Sequence, residues 1–218
     1  MPRYSVALVR ATLTACVAVS FPQGGAAQDG SLNSMLGTLD VEAKSHFADG
    51  QLNGCLVEFN LMARDWLYKQ GAYITVGGLF GVMSTQGNLA TVLKVVLHDL
   101  DPRTMSPTPS QPASAYFVSG NSTSKNAVVE TYRSDTPGGI FVVFKMDPTF
   151  SVIAEGVSKD RGVRIAFARE DASTDIRVLI DTSVVKTEAN GQRTRSPQPK
   201  TDFLDCTQTL LRQTVDAK

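Results

Sequence analysis

The chain has 218 residues, with 21 basic and 21 acidic side chains that leave no net formal charge at pH 7; 42% of its residues are hydrophobic and three are cysteines. A balanced charge gives no long-range attraction to nucleic acid or to an anionic membrane. The length suits one core rather than two.

Arg3 and Arg10 open the chain without an acidic residue, and an apolar run follows from Ala11 to Phe21 through Leu13, Cys16, Val17 and Val19. Pro22 ends the run, and Gly25, Ala26 and Ala27 supply the small residues of a cleavage site, so residues 1–27 read as a signal peptide. The run is about half the roughly 20 residues that a bilayer span needs. Leu13 to Cys16 also resembles a lipoprotein box, but a lipidated Cys16 would be followed by the apolar residues 17–21 instead of a polar tether. The rest, 28–218, is expected as one soluble exported domain, periplasmic or secreted, with no membrane span. Losing Arg3 and Arg10 leaves it 19 basic against 21 acidic residues. In an oxidising compartment the remaining pair, Cys55 and Cys206, reads as a structural disulfide.

Along this domain, residues 38–49 place Leu39, Ala43 and Phe47 at helical spacing and predict a short helix. From Cys55 the period becomes two, with Cys55, Val57, Phe59 and Leu61 on one face of a strand. Strands follow at 72–84 and 89–98, separated by the turn formers Thr85 to Asn88. Gly77, Gly78 and Gly81 fit no nucleotide-binding pattern and mark a bulge or a close backbone approach. Residues 102–114 are proline-rich and read as a long polar loop. Strands resume at 116–119, 127–133 and 140–146, the last two joined through Thr136, Pro137, Gly138 and Gly139 as a type II or related turn. Asp147 and Pro148 are a helix start. Phe150, Ile153, Ala154 and Val157 give that helix an apolar face, and Gly156 is its expected stop. A hairpin at 162–169 and 175–180 precedes a second polar loop, 186–200. A final helix, 202–215, carries Phe203, Cys206, Leu210 and Leu211 on one stripe. This order predicts an α+β single domain: a mostly antiparallel sheet with a short mid-chain helix and a C-terminal helix packed on it, a β-sandwich being the alternative.

Reactive constellations are sparse. His46 and His98 lack metal-ligand spacing, so no metal or cofactor is expected. His98 and Asp99 with Ser119 or Ser122 would make a small secreted hydrolase, the one enzymatic alternative; no GxSxG elbow accompanies them. Ser122 and Lys125 fit the bare SxxK pattern in a turn-rich setting without its partner motifs. Asp99 and Asp101 lack calcium-loop spacing. Trp66, the single tryptophan, follows Arg64 and Asp65 at a strand end and reads as a core or rim anchor, or else as a ligand platform. Lys186, Arg193, Arg195 and Lys200 put four cations on one loop against Glu188. They are the candidate binding residues, for an acidic envelope component or an acidic protein surface. The sequence thus favours a non-catalytic exported binding or envelope-interaction protein.

Overall fold

The computed structural model describes residues 25–85, 88–101, 103–159, 162–170, 172 and 174–216. The expected leader and Cys16 lie outside these residues, apart from positions 25–27, which begin helix α1 (Gly25–Met35). No described helix is long and apolar enough to cross a membrane.

The predicted helix at 38–49 is a strand, β1 (Gly37–Ala48). The reason lies just beyond it. Asp49 and Gly50 both have positive φ, 51° and 77°, the conformation of a two-residue type I′ turn whose twist matches that of paired strands. This turn folds β1 back on β2 (Gln51–Asp65), with Ala48 opposite Gln51. Phe47, expected on the helix's buried face, is 61% exposed. The helix of this region is α1, which precedes β1. It lies on the solvent-side face of the sheet, where Leu32 and Met35 pack with Met62, Tyr73 and Leu100 in a small second core.

From β2 the chain continues as β3 (Ala72–Thr85) and β4 (Asn88–Leu100), both as the period-two pattern predicts. The Gly78 and Gly81 positions show close backbone approach without a bulge, since register runs unbroken through β2, β3 and β4. A Cβ on Gly78 would stand 1.9 Å from the Lys94 carbonyl oxygen, and one on Gly81 would stand 2.0 Å from that of Cys55.

The 102–114 stretch is more regular than a loop. Asp101 accepts the Arg103 and Thr104 amides at 2.8 Å each to form a turn. Backbone bonds to its carboxylate, that of Thr104 first, lower its pKa. Strand β5 (Pro107–Pro109) then pairs the end of β4, and β6 (Pro112–Ser119) follows. After β7 (Ser122–Thr123), β8 (Val128–Arg133) and β9 (Gly139–Lys145) form the expected hairpin. Its turn has Gly138 at φ 75° and a bond of 3.0 Å from the Gly139 amide to the Thr136 carbonyl, as a type II turn requires.

Asp147 keeps an extended backbone at the start of α2 (Met146–Lys159), the position of an N-cap before Pro148. The helix does not stop at Gly156; it runs to Lys159. Glycine is needed there because a Cβ would meet the Gly162 carbonyl at 2.8 Å, where β10 (Gly162–Arg169) passes beneath. Next come β11 (Ile176–Asp181), a hairpin of β12 (Val184–Thr187) and β13 (Arg193–Arg195), and α3 (Gln198–Asp216). Most of the 186–200 stretch is therefore this hairpin and the first turn of α3.

The architecture is the predicted one, α+β with an antiparallel sheet as its main body. The large sheet has the order β1-β2-β3-β4-β9-β8, with β5 beside β4, and a smaller sheet runs β11-β10-β6-β7. Both sheets share one core with α2 and α3. Phe80 is its hub, with ring centroids 6.3 Å from Phe59, 6.1 Å from Phe117 and 6.0 Å from Phe203, so β2, β3, β6 and α3 meet at one side chain. Each such buried aromatic contributes roughly 1.5–3 kcal/mol through the area it removes from water. The expected disulfide is present: Cys55 and Cys206 are bonded, with Cα atoms 5.7 Å apart, and tie α3 to β2.

A buried ion network joins the two sheets. The Arg169 Nε donates to Asp65 Oδ2 at 2.7 Å, and its Nη2 donates to Asp99 Oδ1 at 2.6 Å. The other Asp65 oxygen accepts the amides of Leu67 and Tyr68 at 3.1 and 2.9 Å, shaping the turn between β2 and β3.

Candidate functional site: an arginine-lined cleft

The first residues of β1 lie against both the β12–β13 hairpin and the edge of β11. The Thr38 hydroxyl accepts the Asp181 amide at 2.8 Å, and the Thr187 hydroxyl donates to the Leu39 carbonyl at 2.7 Å. These bonds border an open cleft of about 530 Å³ between the two sheets, within the usual range of volume for small-ligand sites. Met62, Leu179 and Val184 are among its apolar walls, and Arg64, Arg177, Arg193 and Arg195 line it against one carboxylate, Asp181.

Three of the four arginines are placed by different devices. Arg193 donates from Nη2 to the Leu36 carbonyl at 2.6 Å and from Nε to that of Thr38 at 3.1 Å. It also reaches the Met35 carbonyl at 3.4 Å, so it caps the C-terminal end of α1, where carbonyls lack helical partners. These acceptors are neutral and leave its charge in the cleft. Arg64 lies 4.3 Å from the centroid of the Tyr73 ring and 5.7 Å from that of Trp66, and donates to Asn33 Oδ1 at 2.8 Å. Arg195 donates from Nη1 to Asp181 Oδ2 and to Ser183 Oγ, both at 2.6 Å. Burial pushes the Asp181 carboxyl up, but bonds from Ser183 and Arg195 outweigh it and hold the group below the usual carboxylate range. Arg177 is exposed on β11.

Trp66 stands at the rim, 68% exposed. Gly71, at φ +84°, backs its ring so closely that a Cβ there would lie 2.5 Å from it. The indole is thereby fixed with much of its surface in solvent. Trp66 thus takes the rim position among those expected from the sequence, and not the core one.

Of the four cations predicted from sequence, Arg193 and Arg195 enter the cleft. Lys186 lies outside it on β12, paired with Glu188 at 2.8 Å. Lys200 lines a neighbouring depression with Arg195. Arg64 and Arg177 went unrecognised because they come from two other strands, and nothing local to either points to the hairpin.

The hydrolase residues are not brought together. Asp99 is bound by Arg169 and lies 3.5 Å from the Lys69 ammonium. Ser119 is at the far end of β6, about 23 Å along the strand from Pro112 at roughly 3.3 Å per residue, and donates to Glu155 Oε2 at 3.1 Å. Pro112 is opposite Arg169, so it is Pro112, not Ser119, that lies at Asp99's end of the molecule. Ser122 pairs with Ser119 and shares that position. Lys125 is in a single 3-10 turn with its ammonium 5.2 Å from the Tyr116 ring, not in the first turn of a buried helix with Ser122.

A larger groove of about 980 Å³ lies between the β1–β2 turn and α3, beside the disulfide. Its charged lining residues are Asp202 and Asp205, both on the exposed side of α3, with Asp202 Oδ1 accepting from Gln198 Nε2 at 2.7 Å. The arginine cleft combines four cations with the Trp66 rim and apolar walls, whereas the larger groove sets two carboxylates beside the exposed Phe47. No protein-family model, curated protein or solved structure matches the chain.

Tyr116, on the outer face of the small sheet across Ala166 from Arg177, gives a pH signature. Burial, then its bond of 2.5 Å to Asp175 Oδ2 and that group's charge, push its phenol up to about 12, with Arg177 opposing. A folded pKa above the unfolded value near 10 contributes stability that is complete below about pH 10 and lost as pH rises through 12. Absorbance at 295 nm is expected to show a late-titrating step that shrinks by one tyrosine in Tyr116→Phe. If the amplitude of the late step is unchanged in that variant, the assignment is wrong.

Proposed function

We propose that the protein is an exported, non-catalytic binding protein, working in the periplasm or outside the cell, and that its ligand is an anion held in the arginine cleft. The observation that carries this reading is the charge of the cleft, four arginines against Asp181 alone. Guanidinium groups are suited to carboxylates and phosphates because their donors match two oxygens at once. Asp181 is the single carboxylate of the lining and is already bound by Arg195 and Ser183, and the Thr38 hydroxyl is engaged by the Asp181 amide, which supports recognition over reaction. The signal-like leader and the disulfide support export. An acidic component of the cell envelope is the partner of matching chemistry.

Trp66, the only tryptophan, makes the test direct. Sugar acids, sugar phosphates and fatty acids would be titrated against the purified protein while indole emission is followed. At least one class is expected to saturate and remain chemically unchanged, with affinity falling about tenfold, or 1.4 kcal/mol, in Arg177→Ala. Absence of saturation across the panel, or turnover of a bound compound, defeats the reading.

A further inference from the structure

The cleft does not end at its own walls. On one side Arg195 is shared with a depression of about 480 Å³ that also contains Lys200, Ser158 and Ser196. On the other side Arg177, Val178 and Leu179 are shared with a depression of about 400 Å³ lined by Arg164 and Gly120. By strand register, Arg164 sits between Val118 and Leu179 on the outer face of the small sheet. The three depressions adjoin through these shared residues, and their combined lining, taken as one track, carries six cations, Arg164, Arg177, Arg64, Arg193, Arg195 and Lys200, against Asp181.

From this continuity we infer that the ligand is an extended acidic polysaccharide, with one carboxylate or similar anion on each of several successive sugars, lying along the track and crossing the cleft beside Trp66. The inference rests on the binding reading above and names its ligand. A compact anion meets only the cations of one depression, whereas a chain with spaced charges meets all six. The fixed indole of Trp66 offers a flat apolar surface to the C–H face of a sugar ring, and Ser158 and Ser196 add hydroxyls where sugar hydroxyls need partners. Nucleic acid fits less well. Sequence-tolerant strand binding uses a series of stacking aromatics with a basic groove, and here one platform serves the whole track on a domain without excess positive charge.

Oligogalacturonides from dimer to octamer, with neutral dextran as control, test the inference by calorimetry and Trp66 emission on the intact protein. Affinity is expected to rise with length and level off, and to weaken as salt screens the charges. Arg164→Glu and Lys200→Glu, both at the ends of the track, are expected to weaken the octamer about tenfold each and leave the dimer unchanged. A dimer that binds as tightly as the octamer overturns the track and leaves the cleft reading standing. Tighter binding of polyphosphate or single-stranded DNA, or equal binding of dextran, overturns the glycan assignment. No saturable binding of any anion, with Trp66 emission unmoved, overturns both readings.

Discussion

Arg169→Met is expected to destabilise the protein by about 3–5 kcal/mol, measured as a lowered urea midpoint with an unchanged slope. Arg169 is 7% exposed and Asp65 fully buried, so losing the guanidinium strands a carboxylate where water cannot solvate it. Burial by itself disfavours the Arg169 charge, but its bonds to Asp99 and Asp65 more than compensate, and the guanidinium is held charged. The side-chain volume is nearly conserved in methionine, so a cavity does not explain the loss. Adding Asp65→Asn to Arg169→Met removes the stranded charge while keeping an acceptor for the Leu67 and Tyr68 amides, and is expected to recover part of the stability. Non-additivity in this cycle is the signature of a direct pair. A cost below about 1 kcal/mol in the single variant would put the pair among exposed salt bridges and remove it as the tie between the sheets.

The parts of this fold that were legible in the sequence are those where burial is decided within one strand. Cys55, Val57, Phe59 and Leu61 alternate because one face of β2 meets the core, and that face is buried in the fold. β1 was read as a helix because Leu39, Ala43 and Phe47 happen to fall at helical spacing, while the better signal stood at its end: Asp49 followed by Gly50. The same kind of signal, Asn190 followed by Gly191 at φ 83°, lay inside the basic loop. Read as a hairpin turn, it would have placed Arg193 and Arg195 on one side of a strand, because alternate residues share a face. β5, β12 and β13 are too short for periodicity to register and exist by pairing with a neighbour. The Asp65, Asp99 and Arg169 network and the meeting of Arg64 and Arg177 with the hairpin depend on register between distant strands. Local pattern does not encode those encounters.

Reducing the Cys55–Cys206 bond, or replacing both residues with serine, is expected to lower stability by about 2–5 kcal/mol, the upper figure being the chain-entropy value for so long a loop. The bond closes a separation of 151 residues, so it restricts most of the described chain in the unfolded state. The folded state loses less, because α3 has other attachments. Phe203 is 2% exposed against Phe80, and Leu210 is equally buried. The core contacts of α3 therefore predict a native reduced protein that is weaker, not an unfolded one. Urea denaturation with and without reductant, followed by Trp66 emission, separates the two outcomes. Coincident curves would mean that the unfolded chain is already compact enough for the staple to restrict little. The location of α3 adds a second consequence. Lys200 lies in its first turn and Arg195 just before it, so the anchorage of Cys206 on β2 also steadies one wall of the cationic track. The reduced protein is expected to bind an acidic oligosaccharide more weakly at temperatures well below its own unfolding. Equal affinity in both redox states would show that packing of Phe203 and Leu210 alone holds that wall.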